Sequence, residues 1–161
     1  MDGFVEALLG GESRIPAEDD WYAPLLGDWD FDYSEPGGRQ LKGEWFFRRV
    51  LDGTAIEDIF ICPSRATREI DPQPDGEYGV ALRMYDPEKR RYDMTYACTK
   101  GTTRLTVRKM DGKIVCSVQD DSGNKWVFCE VGADTFHWQN VTENESGEWR
   151  VNCEVFARRK G

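Results

Sequence analysis

Asp52-Gly53 and Asp111-Gly112 each interrupt a run rich in β-branched and aromatic residues. In that setting an Asp-Gly pair is the strongest short-range signal for a two-residue hairpin, because both central residues of a type I′ turn need positive φ. Each pair dictates which residues stand opposite one another. Around Asp52-Gly53, Leu51 faces Thr54, Arg49 faces Ile56, Phe47 faces Asp58 and Trp45 faces Phe60 on one side of the ribbon. The other side pairs Val50 with Ala55, Arg48 with Glu57 and Phe46 with Ile59. The same construction at Asp111-Gly112 puts Leu105, Val107, Ile114, Cys116 and Val118 on one face, and Arg104, Thr106, Arg108, Ser117 and Gln119 on the other. Each side chain in a strand points opposite to its neighbours, so this is an inside/outside division.

The rest of the chain extends the pattern. Asp28-Trp29-Asp30-Phe31-Asp32-Tyr33 alternates between carboxylate and aromatic, as a strand with one buried and one wet face does. Further strands are expected at about 78–86, 91–99, 124–131, 134–142 and 148–158, divided by short turns rich in Asp, Gly and Asn. Residues 63–76, with three prolines, form the one long irregular connection. Helix is confined to the start: Gly3 to Leu9 makes about two turns before Gly10-Gly11, and Pro16 to Trp21 could begin another. With no helix long enough to cover a sheet, the apolar face is buried if the sheet closes on itself. The expected fold is all-β: one antiparallel up-and-down β-barrel of about ten strands, with a β-sandwich as the alternative. Residues 1–25 form an N-terminal helical segment and 26–159 the barrel.

At 161 residues the chain has the length of a single domain, and its aromatic content of 12%, including six Trp, argues against disorder. A formal charge of −9, scattered through turns and outward positions, repels phosphate backbones and makes nucleic acid a poor partner. The five cysteines, Cys62, Cys98, Cys116, Cys129 and Cys153, are odd in number, well spaced and lack a CxxC pair. They are expected as reduced thiols acting as small apolar side chains, not as a disulfide framework or a zinc site. The start of the sequence lacks the basic region and apolar core of a signal peptide, and no apolar run approaches the ~18 residues that span a bilayer, so a cytoplasmic protein with no membrane partner is expected.

Gly27-Asp28-Trp29 at the start of the first strand resembles the Gly-x-Trp signature of calycin barrels. The resemblance implies that Trp29 plugs the closed end against an arginine of the final strand, Arg158 or Arg159. A longer resemblance, to uncharacterised bacterial proteins of the DUF1579 type, is carried by Gly43 to Phe47, Val50 to Asp58, Tyr85-Asp86-Pro87, Phe136-His137-Trp138 and the ending from Trp149 to Arg159. It implies a lipocalin-like barrel and no particular activity. The positively charged, Gly-x-Gly-rich opening of the haem-binding nitrobindin group is missing, and no cofactor is expected.

Candidate site residues come from face assignments. Arg49 and Asp58 share the bulky hairpin face with Trp45, Phe47, Ile56 and Phe60, diagonal to one another and within reach of an ion pair. If that face lines the barrel, a guanidinium and a carboxylate stand in an aromatic cavity suited to orienting a small ligand. The alternative is an internal pair that satisfies only itself. Arg83 and Tyr85 share a face of one strand, and Tyr92, Met94, Tyr96 and Cys98 a face of the next, fitting a cavity wall or a solid core equally. His137 is the only histidine, so a three-His zinc site is excluded; it alternates with Phe136 and Trp138, and which pair faces inward is open.

The ligand-binding candidates are thus Trp45, Phe47, Arg49, Asp58, Phe60, Arg83, Tyr85, Tyr96 and His137. The function expected is binding of a small apolar or amphipathic molecule, with Arg49 as partner if the ligand is anionic. An enzyme using Asp58 or His137 as acid or base is a second reading, with no catalytic motif to support it. A filled barrel that works only through a homodimer interface is the third.

Overall fold

The computed structural model describes residues 3–161. Ten antiparallel strands form a closed barrel: β1 (Gly27–Ser34), β2 (Gln40–Val50), β3 (Ala55–Cys62), β4 (Glu77–Asp86), β5 (Arg91–Cys98), β6 (Gly101–Met110), β7 (Lys113–Val118), β8 (Asn124–Val131), β9 (Thr135–Glu143) and β10 (Trp149–Arg159). Each strand pairs with its neighbours in the chain, and β1 pairs with β10 to close the circle. The short helix α1 (Gly3–Leu9) precedes the barrel, followed by two 3-10 turns at Ala17–Asp19 and Ala23–Leu25.

Both Asp-Gly hairpins form in the expected register. Val50 pairs with Ala55, Arg49 with Ile56, Phe47 with Asp58 and Trp45 with Phe60; Val107 pairs with Cys116 and Leu105 with Val118. Asp52, Gly53, Asp111 and Gly112 all have positive φ, as a type I′ turn requires. The first hairpin also anchors the N-terminal segment, because Leu51 N–H donates to the Leu8 carbonyl at 2.7 Å and Arg14 N–H to the Gly53 carbonyl at 2.9 Å.

The inside/outside alternation holds, with outward-facing apolar side chains buried in two places. Val50 and Ala55, a cross-strand pair on the outer face of β2 and β3, are 2% and 0% exposed. Val115, on the outer face of β7, is buried with Val127 and Val141 in a small cluster on the outer wall, where Cys129 and Val151 pack against it. A β-bulge between Val151 and Cys153 brings Val151 to this cluster: the register shift turns Val151 outward and leaves Cys153 facing in.

One end of the barrel is sealed. Tyr22, Leu25 and Trp29 are fully buried there, with the Trp29 indole donating to the Leu25 carbonyl at 2.7 Å. Arg159 is the arginine over Trp29, at 4.2 Å from the ring, and its guanidinium donates to the carbonyls of Pro24, Leu26 and Ala133. Arg158 points outward and pairs with Asp32 at 2.7 Å.

Candidate functional site

The barrel interior is layered. Nearest the sealed end, Phe47, Phe128, Phe136 and Tyr92 pack with Tyr22 and Trp29, their rings mostly edge to face. Above them is a polar layer. The Asp58 carboxylate accepts from the Trp45 indole at 2.9 Å and from Arg83 Nε at 2.8 Å. Arg83 also donates to the Tyr22 hydroxyl at 2.8 Å and faces Cys116 Sγ at 3.6 Å. The Arg83 and Asp58 side chains are 2% and 1% exposed.

Such a layer is tolerated in a core only because each charge meets a partner. Burial opposes the charge on Arg83, but the Tyr22 oxygen and the Asp58 carboxylate outweigh it and the guanidinium pKa is net raised. Burial likewise pushes the Tyr22 phenol and the Cys116 thiol up, so both stay protonated near neutral pH.

Beyond this layer the interior opens into a cavity of about 330 Å³ at the other end of the barrel. Trp45, Asp58 and Arg83 form part of its lining; its walls include Phe60, Tyr96, Trp126 and Trp138, and its mouth carries Arg39, Asp75 and Glu77. Two glycines make room for the aromatics. A Cβ on Gly79 would lie 2.0 Å from the Tyr96 hydroxyl, and one on Gly43 would lie 2.0 Å from the Phe31 ring. At the mouth Arg39 is held between Glu35 and Asp75, at 2.9 and 2.6 Å. Tyr96 donates to Glu77 and packs edge-on against Trp126. A second depression, of about 570 Å³, lies on the outer wall between Asp32, Lys42, Ile70 and Phe156. Its polar side chains are exposed or half-buried, and Asp32 is already paired with Lys42 and Arg158, so the interior cavity is the better candidate.

Of the nine candidate residues, Trp45, Asp58, Phe60, Arg83 and Tyr96 meet in this cavity. Phe47 is core beneath it. Arg49 does not meet Asp58: its guanidinium makes a bidentate pair with Asp20, at 3.0 and 2.7 Å, near the sealed end. The expectation failed because Asp20 comes from the segment before the barrel, which no hairpin register could place. Tyr85 is drawn to the same end, where it and Arg90 hold the Asp19 carboxylate. His137 is on the outer wall, stacked on Phe156 at 4.4 Å and bonded to Glu154 at 2.8 Å, while Phe136 and Trp138 face inward.

The sequence reading missed Arg39, Glu77, Trp126 and Trp138 as lining residues. Glu77 was within reach, since it shares the face of Arg83 in β4. Arg39 precedes β2 in a turn and carried no face assignment. Three of the five thiols, Cys62, Cys98 and Cys153, also line the cavity, and all five cysteines are free. Among the described residues no group of His, Cys, Asp and Glu is arranged to hold a metal ion, and no helix is long and apolar enough to cross a membrane.

A closed ten-strand antiparallel barrel with a sealed end, an open end and an interior cavity is a calycin- or lipocalin-type fold. The crystal structure of Rv2717c from M. tuberculosis is similar, with a TM-score of 0.55 at 11% identity over 91% of this chain and 99% of that one. So is the S-type phycobiliprotein lyase CPES from Guillardia theta, with a TM-score of 0.54 at 11% identity over 100% of this chain and 98% of that one. At such identity the likeness concerns the fold alone. No protein-family model and no curated protein matches the chain, so the resemblance to DUF1579-type proteins stands only at the level of the barrel.

Proposed function

We propose that the protein binds a small, partly apolar molecule in the cavity at the open end of its barrel. The observation that carries this reading is the composition of that cavity: aromatic walls around a few fixed polar groups, with the Asp58–Arg83–Trp45 layer at its floor. Ligand pockets have this character, an apolar enclosure with a small number of placed hydrogen-bonding groups. At about 330 Å³ the cavity lies at the lower end of the usual range of roughly 300–1,000 Å³, which suits a ligand of one or two rings.

An anionic ligand would need an unengaged guanidinium in the lining, whereas Arg39 and Arg83 are both bound to carboxylates. The catalytic alternative is weakened for each candidate separately, because Asp58 is bound to Arg83 and Trp45 and His137 is on the outer wall, away from the cavity.

The test is titration with an uncharged fluorescent apolar probe, together with a variant, Thr103→Trp, that places a large ring in the cavity wall. Saturable binding at one site, lost in Thr103→Trp while the melting temperature is retained, supports the reading. Absence of saturable binding, or equal binding by the plugged variant, overturns it.

A further inference from the structure

Resting on the cavity-binding reading, we infer that the ligand carries a positive charge, an amine or a protonated ring nitrogen, and that Glu77 recognises it.

The ionised side chains lining the cavity are two arginines, Arg39 and Arg83, and three carboxylates, Asp58, Asp75 and Glu77. Four of these cancel. Arg83 pairs with Asp58 at 2.8 Å, and Arg39 binds Asp75 through two nitrogens at 2.6 and 2.8 Å. Glu77 is left over. It faces inward from the start of β4, on the same side as Gly79, Ala81 and Arg83. It makes no ion pair among the described residues, and its one hydrogen bond there is accepted from the Tyr96 hydroxyl by Oε2, which leaves Oε1 without a partner.

Lys100 and Arg68, near the mouth, make no ion pair among the described residues, but neither lines the cavity. The Lys100 ammonium rests on the Asp75 carbonyl at 2.8 Å, and Arg68 donates to the Pro63 carbonyl while stacking on Tyr78 at 3.9 Å, on the outward side of β4. Within the lining itself an incoming anion therefore finds no unpaired cation and meets the Glu77 carboxylate. An incoming cation finds that carboxylate, and in the same lining the rings of Tyr96, Trp126 and Trp138. Aromatic faces attract cations through the ring quadrupole, more strongly where water is excluded. A carboxylate fixed by a phenol at the edge of such a wall supplies direction as well as charge, since Tyr96 orients Oε2 and leaves Oε1 to accept from an ammonium N–H. Tyr96 is itself held in place by the absence of a side chain at Gly79.

The experiment is isothermal titration with three probes that share one ring system: 1-naphthalenemethanol, uncharged; 1-naphthylmethylamine, cationic at pH 7; and 1-naphthoate, anionic. The amine is expected to bind about tenfold more tightly than the alcohol, the effect of one charge-assisted hydrogen bond, and naphthoate more weakly than either. In Glu77→Gln, which keeps an acceptor for Tyr96, the roughly tenfold advantage of the amine over the alcohol should be lost. Naphthoate binding as well as the amine, or an amine advantage that survives Glu77→Gln, overturns the inference and leaves the cavity reading intact as long as the uncharged alcohol binds. Failure of all three probes overturns both.

Discussion

Arg83 and Asp58, 25 residues apart in the chain, meet at 2.8 Å in the middle of the barrel, each almost completely removed from water. Removing one partner leaves the other charge stranded, and such single changes cost about 3–5 kcal/mol. Arg83→Met should therefore lower stability by that order in chemical denaturation. The double variant Arg83→Met/Asp58→Leu should recover most of the loss, because the cavity floor becomes apolar and no charge is left unpaired. Asp58→Asn should fall between the two, since the amide oxygen can still accept from Trp45. A double variant no more stable than Arg83→Met would contradict the pairing.

The two arginines at the end of β10 should behave oppositely. Arg159 bonds three carbonyls and covers Trp29, whereas Arg158 makes an exposed pair with Asp32. Arg159→Ala should cost about 2 kcal/mol or more and shift tryptophan emission to the red as water reaches the sealed end. Arg158→Ala should stay within about 0.5 kcal/mol. Thermal melts of both variants decide it, and equal effects would count against the plug.

Acid should destabilise the protein over a defined window. Arg65 holds the Glu44 carboxyl at about 2 against an ordinary 4.5, with burial opposing and Lys160 assisting. Arg39 holds Asp75 at about 2 against 3.8. Both pKa values are depressed in the folded state, so their contribution is complete above the unfolded values and is lost as pH falls through about 4 toward 2. Denaturation midpoints measured from pH 6 downward should hold level and then drop across that window. Glu44→Gln should show a shallower drop, and an identical acid limb would assign the loss to other groups. Because Asp75 and Arg65 are well exposed, screening makes the contribution small and sensitive to salt.

His137→Ala should leave probe binding unchanged, because the ring is outside the wall that encloses the cavity. Its loss removes a half-exposed pair with Glu154 and a stack on Phe156, together worth about 1 kcal/mol. Haem added to the wild type should give no Soret band that survives gel filtration and disappears in this variant. A band with that behaviour would place the ligand on the outer wall.

The thiols should react in two groups. Burial raises Cys116 and Cys153 and pushes Cys62 up to about 12. At pH 8 a small thiol reagent should leave Cys116 and Cys62 unmodified for as long as the barrel is folded, and should titrate all five in denaturant. Early modification of Cys116 would mean that water reaches the polar layer.

Where the chain fixes register locally, the fold was legible. The Asp-Gly turns set the β2–β3 and β6–β7 ladders residue by residue, and that alone puts Asp58 inside. The partner of Asp58 was not legible, because β3 and β4 are joined by residues 63–76, whose irregular course sets no register. Arg83 could be assigned a face but not a height in the barrel. Arg49 illustrates the other limit: its strand and face were readable, but its partner Asp20 belongs to a segment without periodicity. For His137 period-2 alternation always leaves two solutions, and only the packing of Phe136 and Trp138 against Trp29 and Trp45 selects one.

The seam between β1 and β10 differs from every other pairing in the barrel. All the rest join strands that are adjacent in the chain, whereas Trp29 pairs with Arg159 across nearly the whole sequence. Hairpins can form early and independently, but the seam must wait until both ends of a long meander come together, and the entropy of that closure falls on a single strand pairing. Until it forms, two strand edges stand open beside Phe31 and Ala157. The nascent chain is then most exposed to pairing with another copy of itself, and exchange of β10 between molecules is the misassembly this topology invites.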